Sequence, residues 1–177
     1  MTEYYFDTET YIAGKDPNPE KDKIITIQFQ ELDRNGEPVG ELHILKEWEK
    51  SEKEILEEFL GVFDQGFDFI PVGANLGYDF IVIYNRVKKL LKTEDLRWEF
   101  LLHGKPKIDL KYTLIILNNG EFKGWNKILD KGGDNKKIKD WYEKKEYDKI
   151  ENYILKEGKN FIKTYKDIKK HILEYKK

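Results

Sequence analysis

The sequence lacks cysteine altogether and contains only three histidines and one methionine. The absence of cysteine excludes disulfide bridges, thiolate zinc sites and cysteine nucleophiles. No stretch of the sequence approaches the roughly 18 uninterrupted apolar residues that a membrane-spanning helix requires, and the first residues lack the basic and then apolar pattern of a signal peptide. We therefore expect a cytoplasmic protein without membrane attachment, in which carboxylates carry any catalysis.

The composition favours a globular chain with one core. Of the 177 residues, 39% are hydrophobic and 14% are aromatic, although 37% are charged and the mean hydropathy is -0.75. A chain of this length buries about two-thirds of the surface that it would expose when unfolded. We predict a single domain over residues 1–177.

The net charge of -2 conceals an uneven distribution along the chain. Residues 1–120 carry 15 basic and 23 acidic side chains, whereas residues 121–177 carry 17 basic and 11 acidic ones. A lysine-rich segment of this kind is either a solvated helical surface or a flank that faces phosphates. Composition leaves both interpretations open.

Hydrophobic alternation predicts an antiparallel meander at the start of the chain. The runs EYYFDT (residues 3–8) and KIITIQFQEL (residues 23–32) are typical of strands. Arg34-Asn35-Gly36 contains the Asn-Gly pair of a hairpin turn, and residues 40–45 return as the partner strand. The three strands together predict one antiparallel sheet.

Helical and strand patterns alternate in the middle of the chain. Ser51 and Glu54 form a capping box, and apolar residues recur at helical spacing from there to about Asp64. Residues 67–74 (FDFIPVGA) are typical of a buried strand, and a helical pattern begins close to Asp79. This order predicts a strand, a turn and a helix.

The last part of the chain is mainly helical. The pattern over residues 106–117 is ambiguous and is compatible with a short strand over 106–110 followed by a helix over 110–117. We also predict a short helix around residues 125–129. From Lys139 onward the pattern is helical, and we expect Gly158 to mark a break or bend between two helices. The whole order predicts an α/β fold with a mixed sheet, an antiparallel meander followed by parallel strands, flanked by helices.

Asp7 and Glu9 lie at the end of the first predicted strand, in the run YFDTET. Side chains two residues apart on a strand point to the same face, so both carboxylates project together from an otherwise aromatic segment. Their repulsion costs free energy unless a cation lies between them. The pair indicates a divalent metal site, and a solvated strand end is the alternative.

Asp79 is a third acid, and it follows the predicted buried strand in the run VGANLGYDF. An Asp in the first turn of a helix is favoured by the helix dipole, and the two glycines of this run allow close approach of the backbone. Asp79 is therefore either a metal ligand or a plain capping residue.

Tyr153 and Glu157 stand four residues apart in the predicted C-terminal helix. This spacing places a phenol and a carboxylate on one face of the helix, where they can converge on one site. Taken alone, the pair also fits an ordinary surface pattern in a helix rich in Lys, Glu and Tyr.

Read in order, Asp7-x-Glu9, Asn75-x-x-x-Asp79 and Tyr153-x-x-x-Glu157 resemble the three motifs of the DnaQ-like exonuclease superfamily. The tyrosine places the resemblance in the DEDDy branch, and the motifs are similar to those of polymerase proofreading exonuclease domains. The segment Ile108-Asp109-Leu110 also resembles a recurrent segment of these domains. The resemblance covers nearly the whole chain.

One position departs from the family, since Glu157 stands where the family has Asp, and Glu is longer by a methylene. The histidine-bearing branch of the superfamily does not fit, because no histidine of this sequence has an Asp five residues later: His43, His103 and His171.

The resemblance implies an RNase H-like fold and a metal-dependent 3′-5′ exonuclease that hydrolyses single-stranded DNA or RNA. Enzymes of this class use two Mg²⁺ or Mn²⁺ ions about 4 Å apart to prepare the attacking water and to neutralise the phosphoryl group. By resemblance, Asp7 bridges both ions, Glu9 and Glu157 serve the ion that activates water, and Asp79 helps to hold the other.

The resemblance also implies roles outside the metal ligands. Tyr153 has an ordinary pKa near 10 and is a poor base, so it is expected to orient the attacking water. Three residues are expected to bind the substrate: Thr10, Tyr11 and Asn75. Tyr11 would do so by stacking, and ordinary loop packing is the alternative for this residue. Four lysines of the last helix are candidates for following the phosphate backbone: Lys156, Lys159, Lys163 and Lys166.

The sequence leaves several alternatives open. Glu157 is compatible with a catalytically weakened or inactive domain that binds nucleic acid or acts as a scaffold. The motifs do not separate an exonuclease from an endonuclease, and no residue pattern identifies DNA or RNA as the substrate. A polymerase or repair partner is a further possibility that the sequence does not test.

Overall fold

The protein is built around a five-stranded sheet, and the computed structural model describes residues 1–63, 68–93, 100–129 and 137–174. The strands are β1 (Thr2–Tyr11), β2 (Lys23–Leu32), β3 (Pro38–Lys46), β4 (Phe69–Gly73) and β5 (Ile108–Asp109). Their order across the sheet is β3-β2-β1-β4-β5. β2 is antiparallel to both of its neighbours, whereas β4 is parallel to β1 and to β5. The predicted mixed sheet, with its meander followed by parallel strands, is confirmed.

Helices flank the sheet, as predicted. The α-helices are α1 (Glu52–Phe63), α2 (Leu76–Leu90), α3 (Lys111–Leu117), α4 (Ile138–Glu143) and α5 (Tyr147–Glu174). A turn of π-helix covers Phe100–Gly104, and a 3₁₀-helix covers Trp125–Leu129 where the short helix was predicted. Among the helices of the described ranges, none is long and apolar enough to cross a membrane.

The capping box and the hairpin turn in the first 60 residues form the contacts that the sequence predicts. The backbone amide of Ser51 donates to Glu54 Oε2 at 2.7 Å and the Glu54 amide donates to Ser51 Oγ at 3.3 Å, which is the capping box. Gly36 closes the β2–β3 turn with a φ of 81°, which glycine adopts without strain. Both predictions are confirmed, although the predicted helix end at Asp64 lies outside the described residues.

The predicted break at Gly158 is wrong. α5 runs without interruption through this residue, and the break between the last two helices lies before Tyr147, where Lys145 has a φ of 58°. Gly158 serves close packing instead, because a Cβ atom at this position would lie 3.0 Å from Cε1 of Tyr5. A small residue allows α5 to approach β1.

Alternation along β1 divides the core between the two faces of the sheet. Phe6 packs into a cluster with residues of α1 and α2, such as Phe59 and Phe80. Tyr5 points to the other face and packs with residues of α3 and α5, such as Phe161. β1 is therefore the central strand on which both layers of helices rest.

Candidate metal-binding active site

The carboxyl end of β1 brings together acids from the two ends of the chain. Asp7 and Glu9 project from β1 as partly buried side chains, and Glu157 reaches them from α5 as a buried one. One carboxylate oxygen of each lies within 4.8 Å of those of the other two. Three of the four predicted metal ligands thus meet at one point.

α5 is held against β1 at a second place, near the start of the strand. Glu3 Oε2 accepts hydrogen bonds from the Tyr165 hydroxyl at 2.7 Å and from Lys169 Nζ at 2.6 Å. Together with the close approach at Gly158, these contacts fix the rotation of α5 over the strand. Glu157 is directed at Asp7 and Glu9 as a result.

Polar residues of β2 lie beside the acid pair on the same face of the sheet. Gln28 is the register partner of Asp7, and Thr26 is that of Glu9. Both are almost fully buried, and the Thr26 hydroxyl donates to Gln28 Oε1 at 3.0 Å. The sequence analysis missed these two residues, and the available signal was that polar side chains alternate with apolar ones from Thr26 to Gln30 in β2.

Asp79 lies in the first turn of α2 and is 5% exposed. Its Oδ1 accepts a hydrogen bond of 2.5 Å from the hydroxyl of Thr8, the residue between Asp7 and Glu9. This contact ties α2 to the end of β1 from the opposite face of the sheet. Thr8 is a third residue that the sequence analysis missed, since strand alternation turns it away from the two acids.

Asn75 adopts a left-handed conformation with a φ of 69° just before α2. Its backbone amide donates to Asp109 Oδ1 at 2.8 Å, and its side-chain oxygen accepts a hydrogen bond of 2.7 Å from Lys111 Nζ. Asp109 also accepts from the Lys111 amide at 2.9 Å. The segment after β4 is therefore fastened to the segment after β5.

Tyr153 lies on α5 beside the acids, and its hydroxyl is hydrogen-bonded with Glu157. Burial raises the pKa of Tyr153 far above its ordinary value, and the negative charges of Glu9 and Glu157 raise it further. The phenol therefore keeps its proton throughout the physiological pH range.

These side chains line a single cleft with a volume of about 370 Å³. All of the predicted site residues except Tyr11 are among its lining residues, which are Asp7, Thr8, Glu9, Thr10, Ile12, Pro17, Ala74, Asn75, Tyr78, Asp79, Ile138, Tyr153 and Glu157. The four predicted carboxylates therefore line the same cleft, although they come from β1, α2 and α5.

Tyr11 is placed elsewhere, at the last position of β1. Its ring packs against Tyr142 with 5.3 Å between the ring centroids, and its hydroxyl donates to Glu143 Oε1 at 2.8 Å. These contacts join β1 to α4. They account for Tyr11 as a packing residue, which the sequence left open beside substrate stacking.

Tyr78 is a further residue of the cleft that the sequence analysis did not single out for a role. Its hydroxyl donates to Asp22 Oδ2 at 2.9 Å, and the same oxygen accepts from the Asn18 amide at 2.7 Å. Burial and the bond to Asp22 raise the pKa of Tyr78 to about 12. The network holds the segment between β1 and β2 against α2.

The lysines proposed to follow a phosphate backbone lie mainly on another side of α5. Lys159, Lys163 and Lys166 line a separate groove toward β3, together with Glu37 and Glu41. Lys166 also forms an ion pair with Glu37. The structure does not bring these three lysines into the acidic cleft.

The donor set fits a hard divalent cation. Carboxylate oxygens are the preferred ligands of Mg²⁺ and Mn²⁺, and no Lys or Arg belongs to the cleft lining within the described part of the chain. The longer side chain of Glu157 starts from a helix that approaches β1 closely, and its carboxylate still joins those of Asp7 and Glu9. The extra methylene is thus accommodated.

Comparisons with solved structures show the fold. The chain is similar to exonuclease I without ligand (TM-score 0.51, 15% identity), to exonuclease I with the inhibitor BCBP (TM-score 0.51, 13% identity) and to its product-bound structure (TM-score 0.50, 13% identity). Each match covers 70% of this chain and 31% to 33% of the other, so this chain corresponds to about a third of those proteins. No family model matches the sequence, and no curated protein matches it. These structural similarities confirm the predicted RNase H-like fold.

Proposed function

We propose that the protein is a metal-dependent 3′-5′ exonuclease acting on single-stranded nucleic acid. The observation that carries the proposal is the convergence of Asp7, Glu9 and Glu157, whose ligand oxygens all lie within 4.8 Å of one another in a cleft that Asp79 and Tyr153 also line. Residues separated by about 150 positions have no local reason to meet. A shared cation would neutralise the three charges, which otherwise repel one another at this separation.

The carboxylates hold the metal in this proposal. Asp7 and Glu9 of β1 and Glu157 of α5 bind on one side, and Asp79 is held from the other side by its bond to Thr8. Two bound Mg²⁺ or Mn²⁺ ions would supply an acidified water molecule and neutralise charge on the phosphoryl group. The four carboxylates would fix where these ions bind.

Tyr153 orients the attacking water in this proposal. A phenol with a strongly raised pKa cannot act as a base near neutral pH. Its proton is engaged with Glu157, and the lone pairs of its oxygen remain suited to accept a hydrogen bond from water. Thr10 and Asn75 lie in the same cleft and would contact the terminal nucleotide of the strand.

The first experiment measures degradation with Mg²⁺ or Mn²⁺. A 5′-labelled single-stranded oligonucleotide should yield a ladder of shortening products, and a 3′-labelled one should release its label at once. Asp7→Ala should lower the rate by about 10³-fold or more. The matched control is Glu41→Ala, which removes an exposed carboxylate from β3, outside the cleft.

Two other outcomes would contradict the proposal. Cleavage of a circular single strand would indicate an endonuclease, and strand binding without degradation would indicate a non-catalytic domain. A thermal-shift titration with Mn²⁺ separates metal binding from catalysis, because a ligand of the native state raises the melting temperature. That shift should be lost in Asp7→Ala.

DNA and RNA substrates should be compared in parallel, since no residue pattern of the sequence identifies either as the substrate. The cytoplasmic location, the single-domain organisation over residues 1–177 and a polymerase or repair partner remain predictions that accompany this proposal.

A further inference from the structure

Four of the nine exposed large hydrophobic side chains in the described ranges fall within one short segment, residues 112–122. They are Tyr112 (71% exposed), Ile116 (73%), Leu117 (54%) and Phe122 (61%). Scattered exposed apolar side chains are ordinary, whereas a concentration of them marks an interaction surface. This segment comprises α3 and the loop that follows it.

Lys111 connects this surface with the acidic cleft. Its Nζ donates to Asn75 Oδ1 at 2.7 Å and lies 5.4 Å from the centroid of the Phe122 ring. Asn75 itself lines the cleft. One lysine side chain thus touches a cleft residue on one side and an exposed aromatic ring on the other.

The position of Phe122 is fixed by the loop around it. Asn118 Nδ2 donates to the carbonyl oxygens of Glu121 at 2.8 Å and Lys123 at 3.0 Å, which lie on either side of Phe122. The Gly120 amide closes the end of α3 by donating to the Ile115 carbonyl at 2.9 Å. An exposed ring held in this way loses little freedom when a flat partner stacks on it.

The charge beside the ring is positive. Lys111 lies over the Phe122 ring, and residues 111–129 contain three lysines but one acid, Glu121. The surface next to the cleft therefore differs in sign from the cleft itself. A polyanion with flat apolar groups matches both features, and single-stranded nucleic acid has this chemistry.

We infer that Lys111 and Phe122 bind the substrate strand next to the cleft, with Phe122 stacking on a base and Lys111 facing a phosphate. This inference rests on the proposed function, and it adds a binding surface outside the acidic cleft. Stacking tolerates any base, so the surface favours a strand without selecting its sequence.

The test compares protein variants for their affinity for a single-stranded oligonucleotide, measured by fluorescence anisotropy with Ca²⁺ present to limit hydrolysis. Phe122→Ala should weaken the binding of a 12-nucleotide strand by about fivefold or more, the effect of losing one stacked base. Phe122→Trp should retain the affinity, and Phe122→Leu should not. Ile172→Ala is the matched control, because Ile172 is an exposed apolar residue near the far end of α5.

Lys111→Ala should reduce the slope of log affinity against log salt by about one phosphate contact, or roughly 0.7. Lys170→Ala, which removes an exposed lysine of α5 outside the proposed surface, is the control for net charge.

The outcomes separate this inference from the proposed function. If the wild-type protein degrades the strand but Phe122→Ala binds it equally well, the surface is wrong and the nuclease stands. If the protein neither binds nor degrades strands, both fail. If Phe122→Ala alters the self-association of the protein but not its affinity for the strand, the surface binds a second copy of the chain and the inference is overturned.

Discussion

The sheet face that packs against α1 and α2 is filled with aromatic rings, whereas the face under α5 also encloses hydroxyl, amide and carboxylate groups. The first holds six phenylalanines, Phe6, Phe29, Phe59, Phe63, Phe69 and Phe80. The second holds Tyr5 and Glu157 as well as the buried Thr26 and Gln28. Burial of apolar rings stabilises a fold, while burial of polar groups costs free energy. Both faces bury apolar side chains, but only the face under α5 also bears the cost of burying polar groups beside the proposed metal site.

The largest expected effect tests the aromatic face. Phe59 is completely buried and contacts the rings of Phe6, Phe29, Phe63 and Phe69. Phe59→Ala should lower the free energy of unfolding by about 3–5 kcal/mol through lost burial and a cavity. Chemical denaturation measures this. A loss below about 1 kcal/mol would mean that the aromatic face is not the main source of stability.

A second prediction concerns Thr8, which lines the acidic cleft and bonds to Asp79 of α2. Thr8→Val removes the hydroxyl that donates to Asp79. If Asp79 is a metal ligand as proposed, the rate of strand degradation should fall by about 10- to 100-fold and the metal concentration for half-maximal rate should rise, because a hydrogen bond to a ligand orients it. Thr8→Ser keeps the donor and should recover most of the rate. An unchanged metal requirement in Thr8→Val would reduce Thr8 to a structural role.

The third prediction compares two helical glycines. Gly158→Ala should destabilise the protein by about 1–3 kcal/mol, because the new methyl group meets the Tyr5 ring at 3.0 Å. Gly61→Ala in α1 meets no atom of the described residues within 4 Å and should stabilise the helix by about 0.5–1 kcal/mol. Urea denaturation of both variants gives the comparison. Equal effects would mean that α5 does not depend on close approach to β1.

The smallest effect is expected at the Tyr5 hydroxyl. This group is buried, and within the described part of the chain it has no hydrogen-bond partner. Burial and the nearby charges of Asp7, Glu157 and Glu9 raise the pKa of Tyr5 well above its usual value. Tyr5→Phe removes a polar group without a new cavity, so the free energy of unfolding should be unchanged or rise by about 1 kcal/mol. A clear loss of stability would show that the hydroxyl has a partner in solution.

The sequence predicted the elements best where local signals are strong. β2 was predicted at its observed bounds, Lys23–Leu32, because its apolar pattern is long and ends in a turn. The capping box at Ser51 depends only on residues within one helical turn. Gly158 misled the prediction, since the sequence alone does not distinguish a glycine that breaks a helix from one that lets a neighbouring strand approach.

The candidate site was predictable to the extent that its residues form motifs. Asp7, Glu9, Asp79, Tyr153 and Glu157 were named from spacing and resemblance, and all five line one cleft. Thr8, Thr26 and Gln28 were not named, because their positions depend on strand register and on contacts with distant elements. Lys111 was missed for the same reason, since its contact with Asn75 exists only after β4 and β5 have paired.

Because α5 contacts both ends of β1, the order in which the chain is synthesised matters for the site. Glu3 and its partner Tyr165 are 162 positions apart, and Glu157 is also in this last helix. During translation β1 leaves the ribosome long before α5 has been made. The acidic cleft therefore cannot assemble before α5, with Glu157, has been made.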